Sequence, residues 1–239
     1  MTTILKDIQL ASLNGEKLLA ILIDPDKFIL KDLDAFVDKA QETIATHFFI
    51  GGSTVEVNVT QKLIIALKKI THLPIVLFPG DVTQISDDAD AILFLSLLSG
   101  KNPDYLISKH VQSVPLLEKT SLEIIPTGYI LIESGTKTAV QRVTNTKPIH
   151  DKILIAQTAK AGEYLGMQLI YLEAGSGAKE PVSESIITQT KKKLTIPLIV
   201  GGGIRTKSQL NLAYQAGADL VVIGTAFEKD LDFFNEITY

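Results

Sequence analysis

The chain has 239 residues, 46% of them hydrophobic, and a formal net charge of −4. That length suits one α/β barrel domain over residues 1–239 with a sizeable core. Acidic and basic residues are interspersed, which argues against nucleic acid as a partner, and the absence of cysteine excludes disulfides and thiolate chemistry. No apolar run reaches the roughly 18 residues of a membrane span, and Met1 to Gln9 carries no signal-peptide pattern. The expectation is a cytoplasmic protein that is not an integral membrane protein.

Short apolar runs alternate with helical patterns along the chain. Leu18 to Ile23 reads as a buried strand ended by Asp24-Pro25, and Lys31 to Ala45 as a helix with Leu33, Phe36, Val37 and Ala40 on one face. Phe48 to Ile50 is a strand ended by Gly51-Gly52, and Val59 to Ile70 a helix with Leu63, Ile64, Leu67 and Ile70 as its stripe. Pro74 to Phe78 and Ala91 to Leu95 are the next strands, followed by a helix from Pro103 to Leu117. Glu123 to Ile132 holds a fifth strand, broken near Pro126-Thr127-Gly128. The polar stretch Ser134 to His150 reads as a long loop, a mobile lid or partner-facing segment. Asp151 to Met167 (helix) and Leu169 to Leu172 (strand) come next. Val182 to Lys193, Pro197 to Val200, Thr206 to Gln215, Leu220 to Ile223 and Ala226 to Phe234 then alternate helix and strand to the end.

Eight apolar strands alternating with helices imply a closed parallel sheet, a (β/α)8 TIM barrel. One interval departs from the pattern. Residues 79–90 separate strands three and four, are rich in Asp, Ser and Thr, and show no helical stripe. The expectation is a modified barrel whose third helix is replaced by irregular chain.

Active sites of such barrels lie at the C-terminal ends of the strands. Strands seven and eight end in Gly201-Gly202-Gly203 and Gly224-Thr225, with Gly203 and Gly224 standing 21 residues apart. Glycine permits close backbone approach, a helix N-terminus favours anions, and the last two βα loops of a barrel commonly hold a phosphate. Asp24 ends an apolar strand, where a carboxylate needs a partner. A hard cation such as Mg2+ is one, with the Ser53 hydroxyl nearby, and a helix N-cap is the other. Glu173, beside the glycine-rich run Gly175-Ser176-Gly177, is suited to a hydroxyl as acceptor or general base. Tyr171 shares its barrel-facing side by period two, where core packing is the competing role.

In family order the chain carries Ile23-Asp24-Pro25-Asp26-Lys27, Phe49-Ile50-Gly51-Gly52-Ser53-Thr54, Leu77-Phe78-Pro79-Gly80, Pro126-Thr127-Gly128-Tyr129, Tyr171-Leu172-Glu173-Ala174-Gly175-Ser176-Gly177, Val200-Gly201-Gly202-Gly203-Ile204-Arg205 and Ile223-Gly224-Thr225-Ala226. With these it resembles the geranylgeranylglyceryl phosphate synthases and the related heptaprenylglyceryl phosphate synthases over nearly its whole length. The resemblance implies a prenyltransferase that joins the 3-hydroxyl of sn-glycerol 1-phosphate to a polyprenyl diphosphate, geranylgeranyl diphosphate foremost, giving an ether lipid precursor. It implies Mg2+ held by Asp24 and Ser53. It implies glycerol phosphate held by Tyr171, Leu172, Glu173, Ala174, Gly175, Ser176, Gly177, Gly202, Gly203, Gly224 and Thr225. It also implies a barrel lacking its third helix and a homo-oligomer, dimer or hexamer. The helix from Pro103, with Tyr105 near its start, is the candidate contact. The competing readings are another phosphate-binding barrel, a sugar-phosphate isomerase or lyase using Lys27, and a non-catalytic barrel module.

Overall fold

The computed structural model describes residues 3–52, 55–56, 58–135, 137–224, 226–227 and 237. Eight parallel strands close into a barrel in sequence order: β1 (Leu18–Ile23), β2 (His47–Ile50), β3 (Ile75–Leu77), β4 (Ala91–Leu97), β5 (Glu123–Leu131), β6 (Leu169–Glu173), β7 (Leu198–Gly201) and β8 (Leu220–Ile223). β8 closes on β1 with Ala20 opposite Val222. Around it lie α2 (Leu33–Gln41), α3 (Val59–Leu67), α4 (Ser108–Leu117), α6 (Lys152–Tyr164), α7 (Glu184–Lys191) and α8 (Lys207–Ala216). Of the final expected helix, Ala226 to Phe234, only Ala226 and Phe227 fall within the described residues.

Because strand side chains alternate, the core divides into two shells. Phe49, Val76, Leu93, Ile125, Tyr171 and Ile199 fill the barrel interior. Ile21, Ile23, Phe48, Ile50, Leu172 and Val200 face outward onto the helices. The helices answer with the stripes expected of them: α2 buries Leu33, Phe36, Val37 and Ala40, and α3 buries Leu63, Ile64 and Leu67. Each of these side chains larger than alanine contributes about 1.5–3 kcal/mol on burial.

The expected gap in the helical ring is present. Between β3 and β4 the chain forms only a single 3-10 turn, Val82–Gln84, capped by Asp81 accepting from Thr83 N–H at 3.3 Å.

Three expectations need correction. The fifth strand is unbroken through Pro126. Its carbonyl accepts from Gln168 N–H at 2.8 Å, on the side of β6, but β6 pairs with β5 only from Thr127 onward. The nitrogen therefore faces a place where no strand needs its missing N–H. Second, an unforeseen helix, α1 (Ile4–Asn14), closes the N-terminal end of the barrel by placing Ile8 in the interior core. Thr3 caps it, Gly15 ends it, and Glu123 accepts the Ile4 N–H at 2.7 Å and the Leu5 N–H at 3.2 Å, an anion at a helix N-terminus. Third, the 134–150 stretch contains a short helix, α5 (Ala139–Thr144), started by a Thr138–Gln141 capping box, and is tied back to β5 by an Ile132–Ile149 bridge.

Candidate active site

A cavity of about 660 Å³ opens at the C-terminal ends of the strands. Asp24, Gly52, Tyr171, Glu173, Ser176, Gly177, Gly202, Gly203 and Gly224 all line it, so most of the residues picked from the sequence meet in one place. Ser53 and Thr225 lie outside the described residues. Leu172 and Ala174 turn their side chains into the outer core and are not among the residues lining the cavity. Gly175 packs beneath the cavity wall, under Thr138.

Glu173 is the last residue of β6, faces inward and is only 5% exposed. Its carboxylate accepts the Gly175 N–H at 2.6 Å. Burial pushes its pKa up to about 7, against the Gly175 N–H and the Tyr171 and Tyr129 hydroxyls, which favour the charged form. Both tyrosines are buried, and burial first, then the charge of Glu173, holds their hydroxyls protonated well above the ordinary range. Among the described residues the Tyr171 hydroxyl has no well-aligned hydrogen-bond partner, although it lies near enough to Glu173 to influence it. Its ring is stacked on Phe78 at 5.2 Å and packed against Tyr129 at 5.3 Å, so the core-packing role and a site role coexist in one residue.

The glycine loops interlock. Gly202, at φ 84°, lies so close to Glu173 and Gly175 that a Cβ would meet the Gly175 nitrogen at 2.6 Å. Gly175, at φ 106°, would drive a Cβ into Thr138. Only glycine fits either place.

Across the mouth, the Asp24 carboxylate is 15% exposed and pairs with Lys27. It accepts from the Asp26 N–H at 3.3 Å. The chain turns at residues 25–27 without entering a helix, so Asp24 is not a helix N-cap. Gly52 packs directly against the carboxylate. No cluster of three or more acidic or histidine side chains able to hold a metal occurs among the described residues. One carboxylate beside an open cavity is too few donors for a protein-caged ion and would suit only a hard cation that keeps most of its waters.

Other lining residues escaped the sequence reading. Ile85, Ile92 and Phe94 form an apolar arm of the cavity, with His110 and Ser113 beside them. Ile92 and Phe94 are outward-facing members of β4, so this arm passes outside the barrel into the space left by the missing helix. Lys109, paired with Asp81, and Tyr105 stand on its wall. The Tyr105 hydroxyl donates to Val143 O at 3.3 Å, and Ile107, Val111, Val114 and Leu116 are exposed apolar residues of this region. Thr138, Val140 and Arg142 of the 134–150 stretch also line the cavity. Their signal was available, since Thr138-x-x-Gln141 is a capping box.

Fold and site together define a (β/α)8 barrel with a glycine-ringed mouth and an apolar side arm. The chain belongs to the PcrB family, whose description matches residues 13–238. It is 57% identical over 237 residues, covering 98% of both chains, to the geranylgeranylglyceryl phosphate synthase of Flavobacterium johnsoniae. It is 41% identical to the synthase of the same name from Thermococcus gammatolerans, covering 91% of this chain and 86% of the relative. The crystal structure of (S)-3-O-geranylgeranylglyceryl phosphate synthase from Thermoplasma acidophilum, in complex with its substrate sn-glycerol-1-phosphate, superposes with a TM-score of 0.93 at 33% identity, covering 99% of this chain and 96% of that one.

Proposed function

We propose that this protein is a prenyltransferase that joins the 3-hydroxyl of sn-glycerol 1-phosphate to a long polyprenyl diphosphate, geranylgeranyl diphosphate foremost. The product is a prenylglyceryl phosphate, an ether lipid precursor. The observation that carries this reading is the division of one cavity into a buried carboxylate ringed by glycine loops and an apolar arm leading out through the missing helix. The names of the relatives and the bound ligand of the Thermoplasma enzyme support the same substrates.

The loops at Gly175 to Gly177, Gly202-Gly203 and Gly224 would take the acceptor's phosphate with backbone N–H groups, with Thr225 adjoining. Fixing that phosphate brings the 3-hydroxyl to Glu173 and turns a bimolecular encounter into a positioned one. Oxygen of the 3-hydroxyl attacks C1 of the prenyl chain. The C1–O bond to the diphosphate breaks with its electron pair going to the diphosphate, and the hydroxyl proton passes to the Glu173 carboxylate. A carboxyl with a pKa of about 7 is well matched to that transfer near neutral pH. Tyr171, beneath the acceptor, supplies a protonated hydroxyl that helps hold the carboxylate and the substrate.

Asp24, with Ser53, would hold Mg2+. When bound, the ion supplies neutralisation of the diphosphate's charge. The apolar arm lined by Ile85, Ile92 and Phe94 would shelter the tail from water. Lys27, the lysine a Schiff-base lyase would require, is ion-paired with Asp24. No helix among the described residues is long and apolar enough to cross a membrane. A homo-oligomer, dimer or hexamer, completes the proposal, with the exposed Ile107, Val111 and Val114 of the α4 region as its contact face.

The decisive test is incubation with Mg2+, sn-glycerol 1-phosphate and prenyl diphosphates of graded length, with the product identified by mass. Absence of product at every length overturns the reading.

A further inference from the structure

One side chain that lines the cavity also ties the two glycine loops together. Arg205 follows β7 by four residues, and its backbone N–H is fixed by the Gln209 side chain at 2.8 Å. Gln209 in turn donates its own N–H to Thr206 Oγ1 at 3.2 Å, so the base of the arginine rests on the first turn of α8. The guanidinium reaches across to the other loop. Nη1 donates to Lys179 O at 3.1 Å, and Nη2 donates to Ala178 O. Ala178 N–H donates to Gly175 O at 3.0 Å, and Gly175 N–H donates to Glu173 at 2.6 Å. A continuous chain of hydrogen bonds thus runs from the α8 N-terminus through Arg205 to the buried carboxylate.

We propose that Arg205 is a positioning residue that clamps the 174–181 loop in its binding geometry before any ligand arrives. The inference rests on the reading that this loop takes the phosphate of sn-glycerol 1-phosphate. Two consequences follow from the chemistry. A carbonyl oxygen left free to turn towards a phosphate repels it, and Arg205 occupies two such oxygens. Holding them also fixes the turn that presents the Gly175 N–H to Glu173. The planar fork matters because a lysine ammonium on a flexible stem does not hold two adjacent carbonyls in one plane. No sequence pattern marks this role, since the two carbonyls lie 26 and 27 residues from the arginine that binds them.

The test compares full-length wild type with Arg205→Met and Arg205→Lys. In the Met variant, KM for sn-glycerol 1-phosphate rises about tenfold while KM for the prenyl diphosphate stays within about twofold. Amide hydrogen exchange at Gly175 and Ala178 accelerates in the ligand-free protein, and Arg205→Lys recovers only part of both effects. An unchanged KM for glycerol phosphate overturns the proposal. So does a raised KM with ligand-free exchange unaltered and full recovery by lysine, the pattern of a direct charge contact with the phosphate. If the Met variant fails to fold, the lysine variant carries the same comparison. Wild type that neither binds nor turns over glycerol phosphate overturns the substrate reading instead, and the exchange rates of the ligand-free proteins still decide the clamp.

Discussion

The Glu173 carboxylate accepts the backbone N–H of Gly175 at 2.6 Å, inside the turn that follows its own strand. That bond favours the charged form, yet burial outweighs it and leaves the group near a pKa of 7. If Glu173 accepts the substrate's proton, kcat/KM climbs as pH rises through about 7 and then levels. Glu173→Gln removes that limb and lowers turnover by about 100-fold, read from a pH–rate profile of both proteins. Full turnover in the Gln variant refutes the role.

The same residue carries a stability signature of opposite sense. Its pKa is about 7 in the folded chain against an ordinary 4.5, so the folded state holds the extra proton between those values. Stability contributed by this group is therefore greatest below pH 4.5 and declines as pH rises through 7. Glu173→Gln, which cannot ionise, is expected to melt higher than wild type at pH 8, with the difference shrinking at pH 5. A thermal scan at both pH values checks it.

His47 behaves in the other direction. Burial pulls its pKa down to about 4, partly opposed by Asp7, and its Nδ1 lies 2.8 Å from Thr46 Oγ1. The unfolded chain takes up the proton near pH 6.5, the folded chain only near 4. Stability present above 6.5 is lost progressively as pH falls through that window, by a few kcal/mol at most. Urea unfolding of wild type and His47→Gln at pH 7 and pH 5 gives the comparison, and the variant's midpoint is expected to depend less on pH.

Gly202 has φ 84° and no room for a Cβ beside Glu173 and Gly175. Gly202→Ala is expected to lose about 1–3 kcal/mol of stability. Turnover falls further than that loss implies, because the displaced neighbour is the carboxylate itself. Melting and turnover measured on one preparation separate the two.

Asp24→Asn tests the cation. The half-saturating Mg2+ concentration is expected to rise about tenfold, because an amide oxygen replaces the charged donor. A protein that responds to Mg2+ as wild type does sinks the assignment.

Strand ends were legible because a buried parallel strand must be apolar and must stop at a residue that turns the chain. Asp24, Gly51 and Gly224 mark such stops without help from tertiary structure. The missing helix was legible for the same reason, since residues 79–90 have no stripe to bury. Pro126 misled because whether its absent N–H matters depends on where β6 begins, a distant fact. The apolar arm was hidden for a related cause. Ile92 and Phe94 look like ordinary outward core residues, and only the absence of a helix above them turns that core face into a wall of the cavity.

The incomplete helical ring has an architectural consequence. A ligand confined to the mouth of a barrel can be no longer than the mouth is wide, whatever its loops do. The breach beside Ile85 and Phe94 lifts that ceiling in one direction and leaves the opposite rim, with its interlocked glycines, untouched. Reach and reactivity are thereby housed in separate walls, and either can drift without disturbing the other.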